Sequence, residues 1–543
     1  MRWRYLASGG RKPNATYFRN YCRRRHDWHI PPPDPNANPN AKTRVRAKAK
    51  ARFLAESNSS SKSHPQSQPP STTPAKPQTD SKALTPAEQL ASAIQLLHQI
   101  VQASGQQILI DPEARPTTKM VYTNGVTLWM LILQRLGGGK TLKEVVSQVL
   151  TQDRHLLPDN KRVRENTLSE NSAAYAQGRQ RLSLDTIHRF SEYVCNYLGE
   201  ISEPILGSQR LFILDGTTIT LPPTPALRAA YPPAPNQYGE SVWPVAMLMV
   251  ANEMQSGCAL LPQVDPMYGE HNASEAEQAR RIVKQLPARS IVMADSNFGI
   301  YSVAYHSTQS QHDFLFRLTK SRFKPLRRRA ELIDQGPTHK TYRLVWKPSS
   351  KDRKTNPDLP AEASLEVLLH EVEVSSELTL YLITNLDLEG LSAASLYQRR
   401  YDVEFDIRDL KVTLDTENIR AKSVEMFKKE LYTSVIAYNL VAQFRRQAAK
   451  VAKIKPRRLS FKDVWTTVKD RLLLQPACSV EQWLERYAEA LYRASQRRHP
   501  QRKSPRNYPR KAHPRRPKST KFEKSQRQKK KPDAEPSPAV EPT

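Results

Sequence analysis

Tyr397, Arg400, Glu404 and Lys411 are spaced so that they could act together. If the segment is a regular helix at about 100° per residue, they project to roughly 0°, 300°, 340° and 320°. They would share one narrow stripe. One carboxylate beside two cations and a phenol suits a helix that offers a metal ligand and grips phosphate around it. Two more carboxylates stand where short apolar runs end: Asp215 after Leu211-Phe-Ile-Leu214, and Asp295 after Ser290-Ile-Val-Met-Ala294. Two strand-end aspartates and a helical glutamate would offer oxygen ligands suited to Mg²⁺. A pair of such ions, about 3.5–4 Å apart, can activate an attacking hydroxyl and stabilise a leaving oxygen. Singly, each acid has a plainer reading, since an Asp before Gly is usually a turn former. Asp402, Asp406 and Asp409 point away from the stripe, where solvated or ion-paired roles suit them.

The elements that must position these residues can be read along the chain. Residues 1–83 are rich in Arg, Pro, Asn, Ser and Gln, and cannot bury enough apolar surface to offset their ordering entropy. Thr85-Pro86-Ala87-Glu88 forms a capping box before Leu90, Ile94, Leu97 and Val101 at helical spacing. Further helices are expected over 119–136, 141–151, 172–182 and 184–199, making 84–205 an α-helical domain. From Arg210 the texture changes to short apolar runs. Strands are expected at Leu211–Leu214, stopping in a turn at Asp215-Gly216, and at Trp243–Val250, with Trp243 in the core. Others are expected at Cys258–Leu261, Ser290–Ala294 and Phe314–Leu318. Alternating patterns over 321–386 read as an inserted antiparallel sheet. The helical stripe follows within 387–450, then helices over 451–498 and an unfolded basic tail over 499–543.

The stripe resembles the signature of the IS4-type DDE transposases: Tyr, two residues, Arg, three residues, Glu, six residues, Lys, matched at every position and spacing. The resemblance covers roughly 165–445. It implies an α/β fold, an RNase H-like mixed-sheet core with a β-rich insertion. Within it, Asp215 in Leu-Asp-Gly-Thr-Thr218, Asp295 in Ala-Asp-Ser-Asn-Phe298, and Glu404 match the catalytic, metal-binding acids. Ser296 departs mildly from the pattern after the second acid, while Phe298 fits it. Ile419–Ser423, Glu430-Leu431 and Ala437–Leu440 also resemble the region after the signature.

The resemblance further implies two Mg²⁺ ions, with Mn²⁺ as a possible substitute, acting on double-stranded DNA. The reaction would be hydrolysis at terminal inverted repeats and transfer of the 3′ hydroxyl to target DNA, in a homodimeric synaptic complex. Tyr397, Arg400 and Lys411 would position DNA phosphates. Trp346, in the insertion, would stack on a flipped base, against a plainer role in sheet packing. Arg179 and Arg181 would belong to a repeat-binding region, against a plainer reading as an exposed arginine face. A nuclease that cuts without joining, and a domesticated non-catalytic DNA-binding protein, are the alternatives. Inverted repeats flanking the gene would separate them.

Charge agrees with a polyanionic partner. The 543 residues carry a net +31. Residues 1–55 hold 14 Lys/Arg against two acids, and 496–543 hold 16 against four, so about +24 lies near the two ends. That supports sequence-independent affinity and says nothing about chemistry. Cys22, Cys195, Cys258 and Cys478 lie far apart, which suggests neither a zinc site nor a disulfide framework. Gly137-Gly-Gly-Lys-Thr141 lacks the first glycine of a P-loop, Gln134 standing there, so no nucleotide cofactor is expected. Without an apolar run of about 18 residues, no membrane span is expected. The expected place is a bacterial cytoplasm, on the nucleoid when bound.

Overall fold

The computed structural model describes residues 120–154, 157–200, 204–236, 239–473 and 480–499. The capping box at 85–88, the helix after it, segment 1–83, and the tail beyond His499 lie outside these residues, as do Cys22 and Cys478.

Helices Asn124–Leu136, Leu142–Thr151, Ala173–Arg181 and Leu184–Glu200 stand where the apolar spacing puts them. Thr141 and Glu144 cap the second reciprocally. The Gly-rich stretch before it is a helix-to-helix turn, with Gly138 and Gly139 at φ of +82° and +77°. Only glycine adopts that backbone without penalty. These helices share their core with the far end of the chain. Leu128, Ile132, Ile187 and Phe190 pack with Val435, Val441, Val464 and Leu491 in one cluster. Its axis is the helix Val424–Val451, 28 residues and about 42 Å long. Among the described residues no helix is long and apolar enough to cross a membrane.

The strands are β1 (Leu211–Thr220), β2 (Pro233–Asn236), β3 (Gly239–Glu253), β4 (Gln263–Pro266), β5 (Ile291–Ala294) and β6 (Asp313–Arg317). After them come β7 (Glu331–Gln335), β8 (His339–Trp346), β9 (Leu365–Ser375) and β10 (Leu378–Thr384). All join one mixed sheet, in the order β2-β3-β1-β5-β6-β10-β9-β8-β7, with β4 beside β3. β1, β5 and β6 run parallel and the other pairs antiparallel. The fold is mixed α/β, in keeping with an RNase H-like core. The strands expected as a separate inserted sheet extend the core sheet instead. β10 pairs directly with β6, Leu382 opposite Arg317 through Thr384 opposite Leu315.

Three expectations about strands need correcting. β1 does not stop at Asp215-Gly216, because β3 supplies partners along its whole length, from Phe212↔Glu253 to Thr220↔Val245. Residues 258–261 form one bridge, Asn252↔Ala259, rather than a strand. The side chain of Asn439 takes both backbone groups of Ala259, at 2.7 and 2.8 Å, where a strand partner would be needed. Trp243 is 46% exposed rather than core. It lies beyond the end of β1, on the β2–β3 ribbon, where no second layer covers it.

Candidate active site

The strand register already aligns the two aspartates. β1 and β5 pair in parallel as Leu211↔Ile291, Phe212↔Val292 and Ile213↔Met293. Continued by two residues, that register sets Asp215, midway along β1, level with Asp295, which directly follows β5. There the chains diverge, leaving the crevice in which open α/β sheets bind ligands. Backbone donors orient one oxygen of each. Asp215 Oδ1 accepts from the Gly216 amide at 2.9 Å, and Asp295 Oδ1 from the Asn297 amide at 2.8 Å. The loop after Asp295 is pinned by the buried Phe298 ring. It also lies so close to β6 that a Cβ on Gly299 would overlap the Arg317 carbonyl.

The signature segment is helical throughout but not a regular helix. It runs as α-helix to Tyr397, a tighter 3₁₀ turn over Gln398–Tyr401, α-helix over Asp402–Arg408, and a wider π turn over Asp409–Thr413. The uniform stripe expected from 100° steps is therefore redistributed. Arg400 is 6% exposed, and its guanidinium sits between carboxylates, 2.9 Å from Glu404 Oε1 and 3.9 Å from Asp215 Oδ2. Lys411 reaches back to β1, donating to the Thr218 carbonyl at 2.8 Å and lying 3.2 Å from Glu417. Tyr397 is 1% exposed and packs in the core beneath the sheet, its hydroxyl without a hydrogen bond. Burial pushes that phenol above its ordinary value. The ring faces the core rather than solvent.

Electrostatics mark Asp215. Burial pushes its carboxyl up to about 7; Arg400 pulls it down, while the charges of Asp295 and Glu404 push it further up. Two carboxylates thus share one guanidinium, and the charge of Asp295 acts on Asp215 in a partly desolvated place. The donor set is all oxygen, and the internal cation Arg400 occupies the space between two of the acids. Those features fit a hard divalent cation. As the side chains stand, no three His, Cys, Asp or Glu among the described residues are close enough to hold one.

Other expected site residues fall elsewhere. Trp346 is 6% exposed, edge-on to Tyr301 with ring centres 5.2 Å apart. Its place at the end of β8 faces the apolar layer over the sheet, so it is not exposed for a base to stack on. Arg179 is also buried, bound with Arg135 to the carboxylate of Glu430, its own contact at 2.6 Å. That triad locks the helix Ala173–Arg181 to the helix Val424–Val451, and so Arg179 does not belong to an exposed arginine face. Arg181 is exposed. The outward acids are ion-paired, as their direction on the helix suggests. Asp402 and Asp406 meet Arg457, and Asp406 and Asp409 meet Arg445. Sequence spacing carries no signal for Arg445 or Arg457. Only the long helix and the turn at Pro456–Arg458 bring them there.

One carboxylate on β1, one directly after β5 and a third on a helical segment thus lie on a mixed α/β sheet. The family model of the transposase DDE domain matches residues 206–440. Over 369 residues the chain is 24% identical to transposase InsG for insertion sequence element IS4 from Escherichia coli strain K12, covering 65% of this chain and 79% of that protein. Residues 206–440 thus match a transposase DDE domain, and the wider chain is similar to an IS4 transposase; both support an IS4-type DDE transposase, a metal-dependent DNA-cleaving enzyme.

Proposed function

We propose that this transposase hydrolyses DNA at the terminal inverted repeats of its element and then joins the freed 3′ hydroxyl to target DNA. The reading is supported by the β1–β5 register, which if continued by two residues brings Asp215 level with Asp295, and by Arg400, which joins Asp215 to Glu404. Asp215, Asp295 and Glu404 would hold two Mg²⁺ ions, or Mn²⁺ in their place. When bound, the ions supply a lowered pKa for the attacking hydroxyl and charge stabilisation for the leaving oxygen. The chain's own residues do the rest. The backbone amides of Gly216 and Asn297 aim the aspartates. Arg400 moves off the acids and onto a non-bridging phosphate oxygen, where its planar fork matches the geometry. Lys411 adds a point charge beside Thr218. Synapsis of two ends calls for two copies, and the site of action is the nucleoid of a bacterial cytoplasm.

The test is cleavage of labelled DNA carrying the flanking element end. Asp215→Asn, Asp295→Asn and Glu404→Gln should each lower strand cleavage by at least about 10²-fold, a typical minimum for disturbing a metal site, while end binding persists. A variant that nicks at a sizeable fraction of the wild-type rate removes its residue from the site. Supplying pre-cleaved ends with supercoiled target then reads joining alone. Cleavage without joining would favour the nuclease reading.

A further inference from the structure

The helix Lys320–Arg327 follows β6 and leads to the outer strands. Phe323 and Leu326 bury one side of it over the sheet. At about 100° per residue, Lys320, Lys324, Arg327 and Arg328 fall within roughly 100° of one another on another side, and Arg329 follows; all five are exposed. Arg327 lies 3.8 Å from Glu371. For Lys320, Lys324, Arg328 and Arg329, no acidic partner is found among the described residues. Lys324, Arg327 and Arg328 suit the C-terminal end of the helix dipole, but Lys320 does not suit the start. The first turn holds no acid and carries Lys320 instead, where the helix dipole disfavours a cation. Like charges at i,i+4 add repulsion.

A third side ties the helix to the active site. The Arg322 guanidinium donates to the carbonyls of Ser296 and Gly299, in the loop directly after Asp295. The helix is thus held against the loop that follows the second carboxylate, with the cationic stripe on another side of it. From Lys320 to Arg328 the stripe is about 12 Å long at 1.5 Å per residue. Phosphates of one DNA strand recur every 3.4 Å or so along the axis, so the stripe has room for about three.

We infer that this helix is a docking surface for the phosphodiester backbone of duplex DNA next to the scissile phosphate, gripping it without reading sequence. This rests on the proposed reaction at Asp215, Asp295 and Glu404. The test is equilibrium binding of the full chain to random-sequence duplex over a salt series in metal-free buffer, with no cleavage read. Lys320→Gln/Lys324→Gln/Arg328→Gln/Arg329→Gln should flatten the slope of log Kd against log salt by about 2–3 and weaken binding at low salt at least tenfold. Its unfolding midpoint should match wild type, since none of the four side chains is buried. Lys351→Gln/Lys354→Gln, on the exposed helix Ser350–Thr355, is the control and should change the slope by less than about half a unit. An unchanged slope in the quadruple variant, or an equal loss per charge in the control, overturns the assignment. Failure here with acid variants that do lose cleavage rejects the helix alone. The converse rejects the carboxylate site and leaves the docking surface standing.

Discussion

The two faces of the segment 402–413 use the same residue types to opposite ends. On one face Glu404 and Asp215 share the guanidinium of Arg400, and the charge of Asp295 acts on Asp215. On the other face Asp402, Asp406 and Asp409 meet Arg399, Arg408, Arg445 and Arg457, and Asp406 is 1% exposed. The second set is neutralised from within and fastens the segment to the helix Val424–Val451 and the turn after it. The first gathers acids whose charges, after burial, push the Asp215 carboxyl up. Acids that raise one another in this way mark a candidate functional site, whereas acids each matched to an arginine mark a joint.

The sharpest way to break this contrast is to remove one acid from each face. Asp406→Ala leaves Arg445 and Arg457 short of a partner in a buried place and should lower the unfolding free energy by about 3–5 kcal/mol. Glu404→Gln should stay within about 0.5 kcal/mol of wild type, since it removes an acid from a site already rich in them. Chemical denaturation of both reads the difference. Equal losses would mean that Glu404 is structural too.

Asp215 gives a contrast in pH. Its folded carboxyl is pushed up to about 7, against an ordinary 3.8. Between those values the folded chain holds a proton that the unfolded chain has lost, so stability falls as pH rises through the window. In metal-free buffer Asp215→Asn removes this slope. The variant should gain on wild type by on the order of 3 kcal/mol between pH 4 and pH 8. Parallel stability–pH curves for the two proteins would refute the raised pKa.

The helical body offers a smaller pair. Arg179→Met should cost about 2 kcal/mol, because Glu430 keeps Arg135 but loses a buried partner. Exposed Arg181→Ala should cost less than about 0.5 kcal/mol. Denaturant midpoints check both, and a large effect at Arg181 would show that it too is a joint. A further effect belongs to the metal. At about ten times its Kd, Mg²⁺ should stabilise the wild type by about 1.4 kcal/mol at pH 8. The gain should shrink at pH 6, where the Asp215 proton competes, and vanish in Glu404→Gln. Thermal unfolding with and without chelator measures it, and a pH-independent gain would place the ion elsewhere.

Local pattern made much of this chain legible. Helical periods located the helices at 124–136, 142–151, 173–181 and 184–200 to within a few residues, because one apolar face must meet a core. Short apolar runs located β1, β5 and β6, and the signature spacing singled out Glu404 and Arg400. Contacts between distant parts were not legible. The extension of β1 through Asp215 depends on β3, and the loss of a strand at 258–261 depends on Asn439, 180 residues away. Whether an aromatic or an arginine is buried also depends on what packs over it. Trp346 went inside against Tyr301, Trp243 stayed outside, and Arg179 found Glu430, 251 residues on. Side-chain type and spacing along the chain therefore determined which residues could do chemistry and which elements would carry them. Only the tertiary structure decided which of those residues face one another, because pairing across a sheet and between helices joins residues that local sequence cannot relate.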